Sequence, residues 1–254
     1  RRQTFVAPAR SRLVQTVAIN VAANTTLPGF RGPIFPDGSF VYVPIPEREP
    51  TDDPVPTYGG LGLLGAVPFD VDPALVDRRV HFDPEFAGYR GRERYTYGDE
   101  HGVKARPLSE LEPGDSLLFY ATLTTHDPPD WDGPRVDWRP PKWGAYVIGE
   151  FVVDEVLSTP DPADLPDWTA SNAHVSRETV DAEVFVRGTE ASRLFDRAVP
   201  LSAPTGGADA NSVVTALSND SGRGPWWRRV LRYDATASER LRERLSTPPA
   251  VWDA

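Results

Sequence analysis

The sequence predicts an α+β domain: a mostly antiparallel, barrel-like sheet with long loops and a few short helices. Two observations carry this reading. Between residues 116 and 158, two long segments alternate along the chain with period two and are joined by a Pro-, Asp- and Trp-rich loop. Elsewhere, strand-like runs outnumber helical ones and their connections are long, which does not fit an alternating parallel α/β sheet. With 254 residues the chain is long enough to bury a substantial core, as one large domain or two small ones.

The elements follow in order. Residues 1–13 read as a basic, disordered tail. Arg1-Arg2 raises the question of twin-arginine export, but the apolar run at 17–23 is short and carries Asn20. From Val14 the pattern is strand-like, with Val17, Ile19, Val21 and Ala23 on one face and Asn20 and Asn24 on the other. A second strand is predicted at 39–47, where Pro44 and Pro46 make its end an edge or an exit. Residues 48–80 read as a long ordered loop with one helical turn, and 81–86 and 94–99 as short extended pieces. The Pro-Gly-Asp turn at 113–115 launches the strand 116–125, which pairs with 143–158. Leu117, Phe119, Ala121 and Leu123 are expected to face the core with Ala145, Val147, Phe151 and Val153. Tyr120, Thr122, Tyr146 and Glu150 are expected on the outer face. A further strand covers 183–188, and 202–225 reads as loop plus a short helix. Thr236-Ala-Ser-Glu239 reads as a capping box opening a helix to about Leu245. The predicted organisation is a tail at 1–13, one domain at 14–235 and a C-terminal helix and tail at 236–254.

Composition removes several kinds of chemistry. There is no cysteine, which excludes a disulfide framework, a thiolate zinc site, an iron–sulfur cluster and a cysteine nucleophile. There is no methionine, so the sequence carries no initiator and reads as processed or trimmed. No apolar stretch is long enough to span a membrane. The net charge is −10, and of 27 basic residues only Lys104 and Lys142 are lysines. An acidic, lysine-poor, Asp-rich composition predicts a salt-adapted, haloarchaeal type of cytoplasmic protein, or one from a GC-rich genome. In molar salt the Debye length falls to about 3 Å, so net charge is a weak argument against a nucleic-acid partner.

Motifs for phosphate loops and nucleophile elbows are absent. His81 with Asp83, Asp99 with His101, and His126 with Asp127 each offer two metal ligands. A catalytic metal needs three, so no metal site and no cofactor is assigned. Asp127, Asp130, Asp132 and Asp137 fit no calcium-loop spacing. Trp131, Trp138 and Trp143 in the same loop form either a stacking platform for a base or a small core pinning the loop. Asn20 and Asn24 offer amides for a base edge or for turn satisfaction.

The stretch Val17-Ala-Ile-Asn-Val-Ala-Ala-Asn-Thr25, followed by Arg31-Gly-Pro-Ile-Phe35, Asp37-Gly-Ser-Phe40 and Tyr42-Val-Pro-Ile-Pro-Glu47, resembles the opening of the third family of nucleotide modification associated domains. Asp83-Pro-Glu-Phe86, Thr96-Tyr-Gly-Asp99, Asn172-Ala-His174 and Ser192-Arg-Leu194 agree in order. The resemblance spans about 14–235. The strand pair after Pro-Gly-Asp is also similar to the small barrels of the PUA-like superfamily, which includes readers of modified bases. The resemblance implies a role linked to modified nucleotides or bases in DNA or RNA. It supplies no catalytic residue set.

Three functional readings follow. In the first, the chain recognises a nucleotide or an extruded modified base. The expected pocket holds Asn20, Asn24, Arg31, Phe35, Ser39, Phe40, Tyr97, Asp99, Tyr120, Tyr146, Ser192 and Arg193, closed by Asn172 and His174. Aromatic rings would stack, Asn and Asp99 would read the base edge, and Arg31 and Arg193 would hold phosphate as planar forks. In the second, the chain is an enzyme acting on a nucleotide, with Asp99 as general base or metal ligand and His174 as acid–base partner. Only this reading brings in a divalent metal. In the third, it is an interaction module of a modification or defence complex, touching partner proteins through residues 226–229 and the C-terminal helix.

Overall fold

A computed structural model describes residues 14–52, 55–100 and 102–247. The tail at 1–13, His101 and the last residues of the C-terminal segment lie outside the described residues. Its strands in chain order are β1 (Thr16–Asn20), β2 (Pro33–Ile34), β3 (Ile45–Pro46), β4 (Val80–His81), β5 (Thr96–Asp99), β6 (Ser116–Thr125), β7 (Trp143–Ser158), β8 (Val184–Gly188), β9 (Arg193–Pro200), β10 (Ser202–Ala203), β11 (Gly206–Ala210) and β12 (Leu231–Tyr233). The helices are α1 (Gly102–Ser109) and α2 (Ala235–Ser246), with single helical turns between strands.

The predicted pair β6–β7 is the centre of the molecule. It is antiparallel, with Leu117 opposite Phe151 and Ala121 opposite Tyr146. An eight-stranded sheet grows from it in the order β12-β1-β6-β7-β8-β5, with β2 on the end of β6 and β9 alongside β7. Most neighbours are antiparallel, but β1 and β2 run parallel to β6. The path ends at β12 and β5 and does not close into a barrel. The fold is therefore α+β with an open, mixed sheet.

Both faces of the sheet are covered, contrary to the expected polar outer face. One layer joins Ile19, Phe86, Leu117, Phe119, Tyr146 and Phe151. The other joins Ala18, Leu118, Tyr120, Val147, Val214, Trp226 and Leu241. A bulge in β7 causes the exchange of faces. Its register against both β6 and β9 skips Ile148, between Val147 and Gly149. The alternation of β7 inverts there, while β6 keeps its own. Hence Ala145 and Val147 lie in the second layer while Phe151 and Val153 lie in the first.

Other elements depart from expectation for local reasons. The predicted strand 39–47 shrinks to β3, because Pro44 and Pro46 cannot donate to a ladder. Helix α1 forms where the sequence reading assigned no element; Pro107 sits in its last turn, and Ala105 and Leu108 bury the inner face. α2 is capped by Asp234, whose carboxylate accepts from the Ala237 amide at 2.9 Å, not by Thr236. The 202–225 region holds the β10–β11 hairpin before its helical turn.

Candidate functional site

The fold draws several separate segments around one cleft. β3 pairs with β4, setting Ile45 opposite His81 and bringing Glu47 beside the His81 ring. The bridge between Glu85 and Thr96 lays the chain around Asp83 against β5. There the Gly98 amide donates to both Asp83 carboxylate oxygens at 3.1 Å. Asn172 Nδ2 donates to Asp83 Oδ1 at 2.8 Å, and Asn172 Oδ1 accepts from the His174 amide. A cavity of about 280 Å³ opens over these groups, walled by the end of β1, β5, α1 and the turn through 172–177.

The two histidines have matching surroundings. His81 Nδ1 lies 2.7 Å from Glu47 Oε2, and His174 Nδ1 lies 2.7 Å from Asp181 Oδ1. A carboxylate only accepts, so each contact puts the ring proton on Nδ1 and leaves Nε2 as the second ring nitrogen. Arg177 also approaches both Nδ1 atoms, at 3.2 and 3.3 Å. Its Nη2 bonds Glu47 at 3.1 Å and its Nη1 bonds Glu100 and Asp181 at 2.5 Å. The carboxylate contacts to the rings, at 2.7 Å, are much shorter than the Arg177 approaches and set the tautomers. His174 Nε2 faces Asp83 Oδ2 at 3.7 Å. His81, Asp83 and His174 are all buried, and together they could hold a metal ion.

The ionisation of these groups follows from burial and partners. Burial pushes the Asp83 carboxyl up to about 6, against the opposing charges of His174 and His81. Burial also works against ionisation of Glu47, but its bond to His81 and the His81 charge hold it well below the usual carboxylate range. Burial would lower His174, yet its bond to Asp181 and the Asp83 charge raise it overall. The Tyr97 hydroxyl is pushed well above its ordinary value by burial and by Asp99.

The sequence-derived candidates divide sharply. Asn20, Asn24, Tyr97, Asp99 and His174 all line the cavity. Asn172 lies beneath them as the group that orients Asp83. Asn24 closes a turn as well, since its Oδ1 accepts from the Thr26 and Leu27 amides. Asp99 accepts from the Tyr97 hydroxyl at 2.7 Å and sits 3.7 Å from Lys104 Nζ. The remaining candidates do not line the cavity. Arg31 lies over the Trp143 ring at 4.5 Å and donates to Thr122. Arg193 lies over Phe195. Phe35 packs against His126, Ser39 donates to Asp37, and Phe40 packs on the core. Ser192 accepts from the Val152 amide. Tyr120 is buried because the second layer covers the expected outer face, and Tyr146 because the β7 bulge turns it into the first layer.

Other expected features resolve in the same way. Trp138 is buried against Tyr146, and Trp143 packs on Trp227, so these tryptophans pin the loop. Asp127 pairs with Arg135 and Arg139. Trp226, assigned to a contact surface, is buried. Among the described residues, no helix is long and apolar enough to cross a membrane.

Sequence reasoning missed Glu47, Arg177 and Asp181, and it valued His81 and Asp83 only as an isolated pair. The signal was the His-x-Asp spacing at 81–83, which needed His174 as its third member. A family model described as nucleotide modification associated domain 3 matches residues 15–245. No curated protein and no solved structure gives a significant match.

Proposed function

Because the chain belongs to the nucleotide modification associated domain 3 family, we propose that it is an enzyme acting on a nucleotide, or on a base of a nucleic acid, in this cleft. The supporting observation is the buried cluster of His81, Asp83 and His174 at the cavity, with each imidazole backed by a carboxylate. A base reader needs stacking faces and hydrogen-bond partners. It does not need two oriented histidines around a buried carboxylate, an arrangement that suits chemistry on a bound molecule.

The cavity, about 280 Å³, falls near the lower end of ligand pockets, roughly 300 Å³ and upward. That size suits a base or a nucleotide fragment more than a dinucleotide cofactor. Exposed Arg48 and partly exposed Lys104 lie at its wall and would attract phosphate. The amides of Asn20 and Asn24 would address the base edge. The expected pairing of Asp99 with His174 changes under this reading. Asp99 acts with Tyr97 and Lys104 as one polar unit, and His174 acts with Asp83 and His81 as the reacting end.

The test is incubation of the purified protein with nucleotides, free bases and oligonucleotides, with products followed by mass spectrometry and binding by calorimetry. Conversion of one of these classes, lost in His174→Gln and weakened in Lys104→Ala, is the expected result. Binding without conversion under any condition would return the cleft to a recognition role. No binding and no conversion would overturn both readings.

A further inference from the structure

We infer that His81, Asp83 and His174 bind one divalent first-row transition-metal ion at the floor of this cleft. The inference rests on the proposed function in one respect only: it puts the ion where the reaction is placed.

The first argument is the clash of acceptors. Both rings give their Nδ1 proton to a carboxylate, Glu47 for His81 and Asp181 for His174. The nitrogen left to His174 meets Asp83 Oδ2 at 3.7 Å, too far for a hydrogen bond. No bond to another residue engages His81 Nε2 among the described residues. All three side chains belong to residues at least nine-tenths buried. Two neutral imidazoles and an ionised carboxylate set this close repel, and either a proton on His174 or a metal ion between the three relieves it; the backing of both rings favours the ion.

The second argument is the supporting shell. Imidazoles that bind metals commonly donate their other nitrogen to a carboxylate, and the ligating carboxylates are themselves hydrogen-bonded. All three ligands here have such support: Glu47, Asp181, and for Asp83 the Asn172 amide with the Gly98 N–H. The three ligand atoms lie within 4.8 Å of one another. Bonds of about 2.1 Å place ligand atoms about 3–4 Å apart, so the set closes on an ion by contracting about an ångström.

The third argument is selectivity and access. Two imidazoles and one carboxylate suit Mn²⁺, Fe²⁺, Co²⁺ or Zn²⁺ better than Mg²⁺ or Ca²⁺, which favour all-oxygen sets. Three protein ligands leave positions open, and His81, Asp83 and His174 all border the cavity through which water or substrate would reach them. A second cluster, Glu100, His174 and Asp181, does not compete. The Arg177 guanidinium stands 2.5 Å from both of its carboxylates, so that space already holds a cation.

The experiment uses the full chain, stripped with a chelator and dialysed separately against Mn²⁺, Co²⁺ and Zn²⁺ with no nucleotide present. Bound metal is counted by elemental analysis, and Co²⁺ is also followed by visible absorption. One ion per chain is expected. His81→Gln and Asp83→Asn should weaken binding more than tenfold and abolish the Co²⁺ spectrum. Glu47→Gln, which leaves the three ligands in place but weakens the support of His81 along with the Arg177 pair, should cost about tenfold. His126→Gln, away from the cleft, should change nothing. Circular dichroism verifies that the variants are folded, and an unfolded Asp83→Asn leaves the decision to His81→Gln. Failure of the wild type to retain an ion, or equal binding by wild type and a folded ligand variant, overturns the inference. Metal bound without nucleotide turnover would overturn the proposed function and leave the ion site standing; the converse result would do the reverse.

Discussion

The rings of His81 and His174 meet edge to face, with centroids 4.8 Å apart and planes at 88°. Distant parts of the chain supply them, and one residue ties their backs together. Arg177 reaches Glu47 behind His81 and Asp181 behind His174. The guanidinium thus fixes the two carboxylates that fix the two imidazoles, and both rings are turned toward Asp83.

That arrangement makes Asp83 a stability cost in the metal-free protein. Its carboxyl is raised from 3.8 to about 6 by burial. A folded-state value above the unfolded one means that the folded chain holds the extra proton between these limits. Stability therefore falls as pH rises from about 4 to about 6, by about 3 kcal/mol for this group. Glu47 and Asp181 act in the opposite sense: both are depressed, so their contribution is present above the ordinary carboxylate range and lost as pH falls below it. Urea unfolding of metal-free wild type and Asp83→Asn across pH 4–7 separates them. The wild type should lose stability relative to the variant through that window and recover it on adding a bound ion.

Arg177 is the second test. Its side chain is buried and meets three carboxylates, so removal leaves Glu47 ionised and buried beside His81. Breaking a buried pair from one side costs about 3–5 kcal/mol. Glu100 and Asp181 are each about a third exposed and recover hydration, which puts Arg177→Ala near the lower end, about 3 kcal/mol. Arg177→Lys should recover less than half of this, because a single ammonium cannot span the three carboxylates. Chemical denaturation at pH 7 measures both.

How much of this was legible depended on whether the signal was local. β6 and β7 were read correctly because each carries a long period-two pattern. The face of Tyr146 was not, because the bulge at Ile148 has no sequence mark; Tyr120 lies on the expected face, which the second layer covers. The second core layer is assembled from short pieces around Val199, Val214, Trp226 and Leu241 that show no period of their own. Asn20, Tyr97, Asp99 and His174 were placed in one cleft by resemblance and residue chemistry. Glu47 and Arg177 were not, since only the β3–β4 pairing and the turn at 172–177 bring them to His81.

The correction to the two tyrosines is itself testable. The Tyr120 hydroxyl donates to the Arg229 carbonyl inside the second layer. Tyr120→Phe leaves that carbonyl without its donor and should cost about 1 kcal/mol. Among the described residues the buried Tyr146 hydroxyl has no hydrogen-bond partner, so Tyr146→Phe should be neutral or slightly stabilising. Neither variant should alter nucleotide binding, measured by calorimetry, because neither residue borders the cavity.

Gly98 links packing to the site most directly. Its φ is unexceptional, so the constraint is space, not backbone freedom. A Cβ there would stand 2.7 Å from His174 Cδ2, 3.0 Å from Asn172 Oδ1 and 3.1 Å from Phe185 Cε1. All three neighbours are buried, and the shortest approach is to His174, so the strain falls on His174 and Asn172 as well as on Phe185. His174 is one member of the proposed ligand set, and Asn172 is the group that holds Asp83. Gly98→Ala should therefore destabilise the fold by about 1–3 kcal/mol, as overpacking does. It should also weaken Co²⁺ binding beyond any loss that stability explains. Gly65→Ala is the control: a Cβ at Gly65 meets nothing within 4 Å, and both stability and metal affinity should stay close to wild type. A Gly98→Ala protein with lowered stability but full metal affinity would mean that the His174 position seen here is not the one that binds the ion.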